Sequence, residues 1–216
     1  MNLNKDIIQK NFGDNVIINE NLSKYSWFNL GGPADIFFRP KNKDQLIEFI
    51  KKIRGYSYKI YVLGAGSNTL IRDSGVKGIV IKLGSKFSNI KLLEKDTIEV
   101  GAGTFDRKVS DFAKNNNISN MEFLSCIPGS IGGAITMNSG CYGSDISKIL
   151  LSIKVVDLEG REKEIKNDEI KFYYRGTDLS SDYIILSAIL RGNPSPKKLI
   201  EKKQEEFIKK KKNHNL

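Results

Sequence analysis

Apolar residues recur at the spacing of an α-helix in two early parts of the chain. Residues 42–53 form the first, with Asn42 in place as an N-cap and Gln45 at the capping-box position. Its buried stripe is expected to contain Leu46, Ile47, Phe49, Ile50 and Ile53. A second helix is predicted over residues 105–114, with Thr104 as its cap. Its buried face is expected to contain Phe105, Val109 and Phe112.

Short apolar runs between and after these helices predict β-strands over residues 60–63, 79–83, 97–100 and 183–190. Residues 153–158 and 162–165 predict a hairpin that turns at Glu159-Gly160. Past Pro196 the pattern becomes helical again, with a thin apolar face. That face is expected to contain Ile200, Gln204, Phe207 and Ile208. Because strands and helices mix without strict alternation, the pattern indicates the α+β fold class.

Glycine is concentrated in the middle of the chain, where 12 of the 19 glycines lie between Gly64 and Gly143. Nine of the twelve lie in three loops: LGAGSN at 63–68, VGAG at 100–103 and IPGSIGGAITMNSGCYG at 127–143. Glycine lets a backbone approach a ligand closely, and successive N–H groups in such turns bind phosphate oxygens. Three loops together favour an extended, phosphate-bearing ligand, whereas each loop alone is equally well explained as a tight turn.

Neither common nucleotide fingerprint is present. A Walker A loop requires glycine followed by Lys-Ser or Lys-Thr, and the chain has no such sequence. A dinucleotide fingerprint requires glycine or alanine at its sixth position, where the two candidate loops have Thr69 and Asp106. A Rossmann fold is therefore not expected.

The net charge of the 216-residue chain is +10, and residues 196–216 carry half of it with eight lysines and three glutamates. A basic chain suits an anionic ligand or nucleic acid, and it is also compatible with an ordinary solvated surface. No nucleic-acid-binding motif accompanies the charge, so neither nucleic acid nor membrane is expected as a partner. With no apolar segment of membrane-spanning length and no secretory signal, the expected compartment is the cytoplasm. Two cysteines exclude a disulfide framework or four-cysteine metal site, and no metal is expected.

Four motifs occur in an order that identifies a family. They are SWFNLGGPAD at 26–35, LGAGSN at 63–68, IPGSIGGA with MNSGCYG at 127–143, and FYYRGTDL at 172–179. Together they resemble the UDP-N-acetylenolpyruvoylglucosamine reductases, which act in peptidoglycan precursor synthesis. The resemblance implies a two-lobed FAD-binding fold of the vanillyl-alcohol-oxidase/PCMH type. It also implies that NADPH reduces FAD, which then reduces a UDP-sugar enolpyruvyl ether to UDP-N-acetylmuramate. A monomer is expected.

The resemblance also implies how the chain is divided and which residues bind the cofactor. Lobe 1 would span residues 1–84, lobe 2 residues 85–193, and a helix over 194–216 would lead towards a substrate-binding domain. Trp27 and Phe28 are expected to pack in the core or between the lobes. The implied FAD-binding residues are Gly64, Ala65, Gly66, Ser67, Asn68, Pro128, Gly129, Ser130, Gly132, Gly133, Ala134, Asn138, Gly140 and Tyr142.

Arg175 matches the active-site arginine of the family, and Tyr174 is expected to support it. Hydride addition to an enolpyruvyl carbon develops enolate charge, which a permanently protonated guanidinium stabilises. Without the motif, Arg175 would be read as a solvated residue at the end of an amphipathic strand.

Members of the family continue into a substrate-binding domain that supplies a proton-donating serine and a late glutamate. That domain is expected to be missing here, which leaves a truncated chain with poor or no reductase activity. A catalytically silent flavin-binding protein and a basic nucleic-acid-binding module are the alternatives.

Overall fold

The computed structural model describes residues 4–214, which form a mixed α and β structure. Its five α-helices are α1 (Lys5–Phe12), α2 (Lys43–Ile53), α3 (Asp106–Asn115), α4 (Ile131–Thr136) and α5 (Lys197–His214). In the same residues the strands are β1 (Val16–Asn21), β2 (Pro33–Phe38), β3 (Ile60–Val62), β4 (Val76–Ile81), β5 (Ile90–Glu94), β6 (Thr97–Gly101), β7 (Ile118–Ser119), β8 (Gly140–Cys141), β9 (Ser144–Asp145), β10 (Leu150–Val156), β11 (Glu162–Lys166), β12 (Phe172–Tyr173), β13 (Gly176–Thr177), β14 (Ile184–Arg191) and β15 (Asn193–Pro194).

The first sheet has four strands in the order β1-β2-β4-β3. β1 pairs antiparallel with β2, whereas β2, β4 and β3 are parallel. The buried core on one side of this sheet includes three aromatic rings from α1, β2 and α2. Phe38 and Phe49 stack with ring centroids 3.9 Å apart, and Phe12 meets both rings edge-on. The apolar stripe of α2 is explained by this cluster, because the helix packs Phe49 against the rings from β2 and α1.

The second sheet has five antiparallel strands in the order β11-β10-β14-β6-β5. One face, including Val156 and Ile184, shares a core with the first sheet. The other face, including Val100 and Ala188, packs in a core with residues of α3, α4 and α5. Neighbouring residues of β10, such as Val155 and Val156, therefore join different cores, as the two-residue period of a strand requires. A register shift between β10 and β14 at Val155 changes this alternation along β14.

Most of the elements expected from the sequence are present. The cap of α2 is confirmed, because the Asn42 side chain accepts a hydrogen bond of 2.9 Å from the Gln45 N–H. The hairpin of β10 and β11 is confirmed, and Gly160 adopts a positive φ of 77° at its turn. The final helix is confirmed too. It is linked to α3 by Gln204, whose side-chain N–H donates to the Ser110 hydroxyl at 2.7 Å.

The start of α3 differs from the prediction. Thr104 does not cap the helix, which begins at Asp106 with Phe105 in the N-cap position and no side-chain cap bond. Thr104 is instead buried, and its carbonyl accepts the Ile131 N–H at 2.9 Å. Phe105 is half-exposed rather than buried, because its backbone pairs with Ser130 and draws the ring out of the helix face.

Several elements were not predicted, among them α1, α4, β1, β2 and β5. α4 has the sequence IGGAIT, whose two glycines disfavour a helix, and it forms because Ile131 and Ile135 are buried in the core. Trp27 and Phe28 are 59% and 55% exposed, so the expectation that they pack in the core is wrong.

The strands of the first sheet all lie before residue 85, and those of the second sheet all lie between residues 85 and 193. The lobe boundaries at residues 84 and 193 stay a prediction. The first three residues of lobe 1 and residues 215 and 216 of the last segment lie outside the described residues.

Candidate functional site

A cleft of about 850 Å³ lies where the loop after β3 and the turn after β6 meet the start of α4. Its volume falls in the range of small-molecule binding sites. The residues from the sequence prediction that line it are Gly64, Ala65, Gly66, Ser67, Asn68, Pro128, Gly129, Ser130, Gly132, Gly133, Ala134 and Arg175. Residues far apart in sequence therefore share one cavity.

The loop after β3, residues 64–68, has a conformation that depends on glycine. Gly66 has a φ of 72°, and its carbonyl accepts the Trp27 N–H at 3.0 Å. A Cβ atom at Gly66 would collide with the Tyr25 carbonyl oxygen. Within residues 4–214, no group accepts a hydrogen bond from the backbone N–H of any residue from 64 to 68. Five consecutive donors are thus available to an anion.

Contacts across the cleft hold the 64–68 loop against the start of α4. The Ser67 hydroxyl donates to the Pro128 carbonyl. A Cβ atom at Gly64 would lie only 2.6 Å from the Ser130 hydroxyl oxygen, so glycine permits close approach. Behind the loop, Lys82 donates from Nζ to the Gly64 carbonyl at 2.5 Å. Burial, and secondarily the nearby Arg39, lower the pKa of Lys82.

The second glycine loop does not form the expected phosphate nest. The N–H groups of Gly101, Ala102 and Gly103 donate to protein carbonyls at 2.8–2.9 Å. The Ala102 carbonyl in turn accepts the Gly132 N–H at 2.9 Å. A Cβ atom at Gly132 would lie 3.2 Å from the Ala102 Cβ. These glycines therefore serve close backbone packing, which positions the first turn of α4.

Arg175 lies in the turn between β12 and β13 and lines the cleft. Its φ of 63° is in the left-handed region, which is uncommon for a residue with a side chain. Two neighbours hold the turn: the Asn138 side chain donates to the Tyr173 carbonyl at 3.2 Å, and the Gly140 carbonyl accepts from Arg175 at 3.4 Å. The Tyr174 ring lies 5.5 Å from the guanidinium carbon.

Four of the predicted site residues are not among those that line the cleft within the described chain: Asn138, Gly140, Tyr142 and Tyr174. Asn138 and Gly140 instead support the Arg175 turn. Tyr142 stacks on Phe207 of α5 with ring centroids 5.0 Å apart, and Tyr174 is 92% exposed. The roles predicted for these four residues stay predictions.

Asp106 is a cleft residue that the sequence did not single out. It is fully buried at the start of α3, and neither carboxyl oxygen has a hydrogen-bond partner within residues 4–214. Burial raises the pKa of the carboxyl from 3.8 to about 8, so the neutral acid predominates at pH 7. A Cβ atom at Gly129 would lie 2.6 Å from the Asp106 Oδ2 atom. The carboxyl therefore lies directly against the third glycine loop.

We expect Asp106→Asn to flatten the pH dependence of stability in the ligand-free protein. Between pH 4 and pH 8 the folded state keeps a proton on Asp106 that the unfolded state loses. The free energy of unfolding should therefore fall with rising pH by up to about 1.4 kcal/mol per unit from this group. Urea unfolding at pH 5, 6.5 and 8 measures the slope, and an unchanged slope in Asp106→Asn would contradict the assignment.

The described part of the chain, residues 4–214, offers neither a metal centre nor a membrane-spanning helix. No group of three or more histidine, cysteine, aspartate or glutamate side chains there is arranged to hold a metal ion. No helix of that region has the length and apolar character that crossing a membrane requires. Cys126 and Cys141 are both free, and burial is the main reason that the pKa of Cys141 is raised to about 11.

Comparisons with known proteins confirm the resemblance seen in the motifs. Residues 34–166 match the family described as FAD binding domain. The UDP-N-acetylenolpyruvoylglucosamine reductase of Pelagibacter ubique is 47% identical over 190 residues, which are 88% of this chain and 63% of that protein. The chain thus spans less than two thirds of the length of this relative.

Solved structures agree with the sequence comparisons. The crystal structure of UDP-N-acetylenolpyruvylglucosamine reductase from Thermus caldophilus has a TM-score of 0.78 and 28% identity, over 91% of this chain and 68% of that one. A berberine bridge enzyme variant, at 15% identity and a TM-score of 0.61 over 90% of this chain and 44% of that one, shares the fold. The expected α+β, two-lobed fold of the vanillyl-alcohol-oxidase/PCMH type is therefore confirmed. With more than half of its residues matched, the chain belongs to the family of FAD binding domains.

Proposed function

We propose that the cleft binds FAD and that the chain reduces the enolpyruvyl ether of UDP-N-acetylglucosamine with NADPH, as in peptidoglycan precursor synthesis. One observation carries the proposal: residues 64–68 line a cleft of about 850 Å³, and their five backbone N–H groups have no acceptor within residues 4–214. We assign the FAD diphosphate to these donors. The likeness to named UDP-N-acetylenolpyruvoylglucosamine reductases supports the choice of substrate.

The residues around the cleft fit a flavin dinucleotide in size and charge. Gly132, Gly133 and Ala134 line one wall with at most a methyl group, which lets a flat ring approach the backbone. Lys82 and Lys108 line the same cleft and suit an anionic ligand. We assign the 64–68 loop and residues 128–134 to opposite sides of the cofactor.

Bound FAD would supply the hydride chemistry, accepting a hydride from NADPH and passing it to the substrate. Arg175 is the catalytic residue in this proposal, because its guanidinium at the cleft stabilises enolate charge as it develops next to the substrate carboxylate. Tyr174, whose ring lies beside that guanidinium, limits the positions the side chain takes. Asn138 and Gly140 are positioning residues through their bonds to the turn.

We expect Lys82→Met to weaken FAD binding about tenfold, because the charge-assisted bond to the Gly64 carbonyl steadies the 64–68 loop. The salt dependence of binding should fall as well, since a cation leaves the cleft. Lys77→Met, at an exposed position of β4, the strand that ends just before Lys82, is the matched control and should bind FAD like the wild type. Equal affinities for the two variants, measured by flavin fluorescence, would contradict the role of Lys82.

The proposal is tested in two stages on the purified chain. The protein is first stripped of any flavin and titrated with FAD, where a saturable change of the flavin spectrum is expected. NADPH is then added without oxygen, followed by the enolpyruvyl substrate, and bleaching and recovery of the flavin absorbance are expected. The absence of FAD binding would overturn the whole proposal. Binding without recovery would overturn the reductase activity and leave a flavin-binding protein.

A further inference from the structure

Asp106 is the one group in residues 4–214 whose buried side-chain oxygens lack any hydrogen-bond partner. An orphaned carboxyl of this kind destabilises the folded protein, because it loses its hydration without gaining a bond. Ordinary helix capping does not account for it, since Asp106 makes no bond to the N–H groups of α3. Its position against the cleft supplies an alternative account.

The carboxyl lies at the junction of the two loops that form the proposed diphosphate site. The Asp106 N–H donates to the Gly129 carbonyl at 3.1 Å, and glycine at 129 leaves the carboxyl in contact with that loop. The preceding residue, Pro128, accepts the hydroxyl of Ser67 from the 64–68 loop. Contacts therefore link Asp106 to the 64–68 loop through Gly129, Pro128 and Ser67.

Among the described residues, no cation pairs with Asp106 to compensate a negative charge there. The titratable and charged groups around it line either the cleft or a smaller cavity of about 450 Å³ on the other side of Pro128 and Gly129. They are Lys82, Lys108, Arg175 and Tyr183 in the cleft, and Arg107, Asp111, Cys126 and Lys211 in the smaller cavity. Glu122, in the turn packed on α3, is paired with Lys203 instead. None of these groups forms a hydrogen bond or an ion pair with Asp106 within the described chain.

We propose, on the basis of the proposed function, that FAD binds this cleft only when Asp106 carries its proton, and that the neutral acid then donates a hydrogen bond to a diphosphate oxygen. The Asp106 O–H has no acceptor within residues 4–214, and a diphosphate oxygen is a strong one. The ionised carboxylate would instead place a third negative charge beside the diphosphate in a site of low dielectric constant. Binding is thereby coupled to proton uptake at Asp106.

The coupling has a defined pH profile. Burial raises the pKa of the Asp106 carboxyl to about 8 in the protein without FAD. The affinity for FAD should therefore be constant below that pH and fall about tenfold per pH unit above it. At pH 9.5 the wild type should bind FAD about 30-fold more weakly than at pH 7. Asparagine keeps the shape and a donor N–H but does not ionise, so Asp106→Asn should show no such fall.

The test measures FAD dissociation constants from pH 6.5 to 9.5 for the wild type, Asp106→Asn and a control, Asp111→Asn. Asp111 lies on the same helix, is half-buried, and pairs with Lys114 at 3.5 Å, so this control should follow the wild type. Calorimetry at pH 8.5 in two buffers of different ionisation enthalpy should show uptake of most of one proton in the wild type and none in Asp106→Asn. Lysine deprotonation would affect all three proteins and cancels in the comparison.

The outcomes separate this proposal from the proposed function. FAD binding with the same alkaline fall in Asp106→Asn, or with no fall in the wild type, overturns the role of Asp106 alone. Proton uptake on FAD binding that persists in Asp106→Asn would likewise overturn the role of Asp106 alone. Failure of every protein to bind FAD at any pH overturns both proposals.

Discussion

Gly66→Ala is expected to weaken FAD binding at least 100-fold and to lower the free energy of unfolding by about 2 kcal/mol or more. An alanine at a φ of 72° is strained, and its Cβ would meet the Tyr25 carbonyl oxygen. Because that oxygen belongs to the backbone, the 64–68 loop itself must move, and its N–H donors would be displaced. A flavin titration and urea unfolding measure the two effects.

Gly176→Ala is the matched control for this substitution. A Cβ atom at Gly176 meets nothing within 4 Å, its φ is not in the left-handed region, and the residue does not line the cleft. We expect it to keep wild-type affinity for FAD and to change stability by less than about 0.5 kcal/mol. Tight FAD binding by a folded Gly66→Ala protein would show that the diphosphate is held elsewhere.

Arg175→Ala is expected to slow reduction of the enolpyruvyl substrate by about 10²–10³-fold while FAD binding changes less than threefold. The guanidinium acts on charge that develops only in the substrate, so bleaching of the flavin by NADPH should keep its rate. Rapid-mixing measurements separate the two half-reactions. Equal slowing of both, or loss of FAD binding, would contradict the assignment of Arg175 as the enolate-stabilising group.

Arg175→Gly distinguishes the charge from the backbone at this position. Arginine at a φ of 63° is strained, alanine keeps the strain, and glycine removes it. If the guanidinium matters, both variants should lose the same activity. Recovery of activity in Arg175→Gly would indicate that the turn conformation, rather than the charge, is what the reaction requires.

The sequence predicted the elements whose apolar pattern and end signals agree. α2 has an apolar stripe that packs on the aromatic core and an asparagine that caps the helix, and both could be recognised in the sequence alone. The β10–β11 hairpin was predicted by Gly160 between two alternating segments. α1 and α4 were missed because the first is short and the second contains two glycines, so that tertiary packing decides both.

The site was predictable where backbone conformation dictates the residue type. Glycine-rich motifs identified the 64–68 loop and the start of α4, because few other residues fit such close approaches. The same reasoning failed at Gly101 and Gly103, whose N–H groups donate to the carbonyls of Asn89 and Phe87 in the segment before β5. Lys82 directly follows the apolar residues of β4, and a lysine in that position is a signal that could have identified it. Asp106 gave no such signal in the sequence. An acid in the first turn of a helix is usually exposed, and the burial of Asp106 depends on the third glycine loop.

A crystal structure of the chain with FAD tests the central claim most directly. We predict that diphosphate oxygens lie within about 3.2 Å of backbone nitrogens of residues 64–68, with the flavin ring towards Arg175. A diphosphate bound outside the cleft, or one held by other residues while the 64–68 N–H groups remain unpaired, would contradict the account.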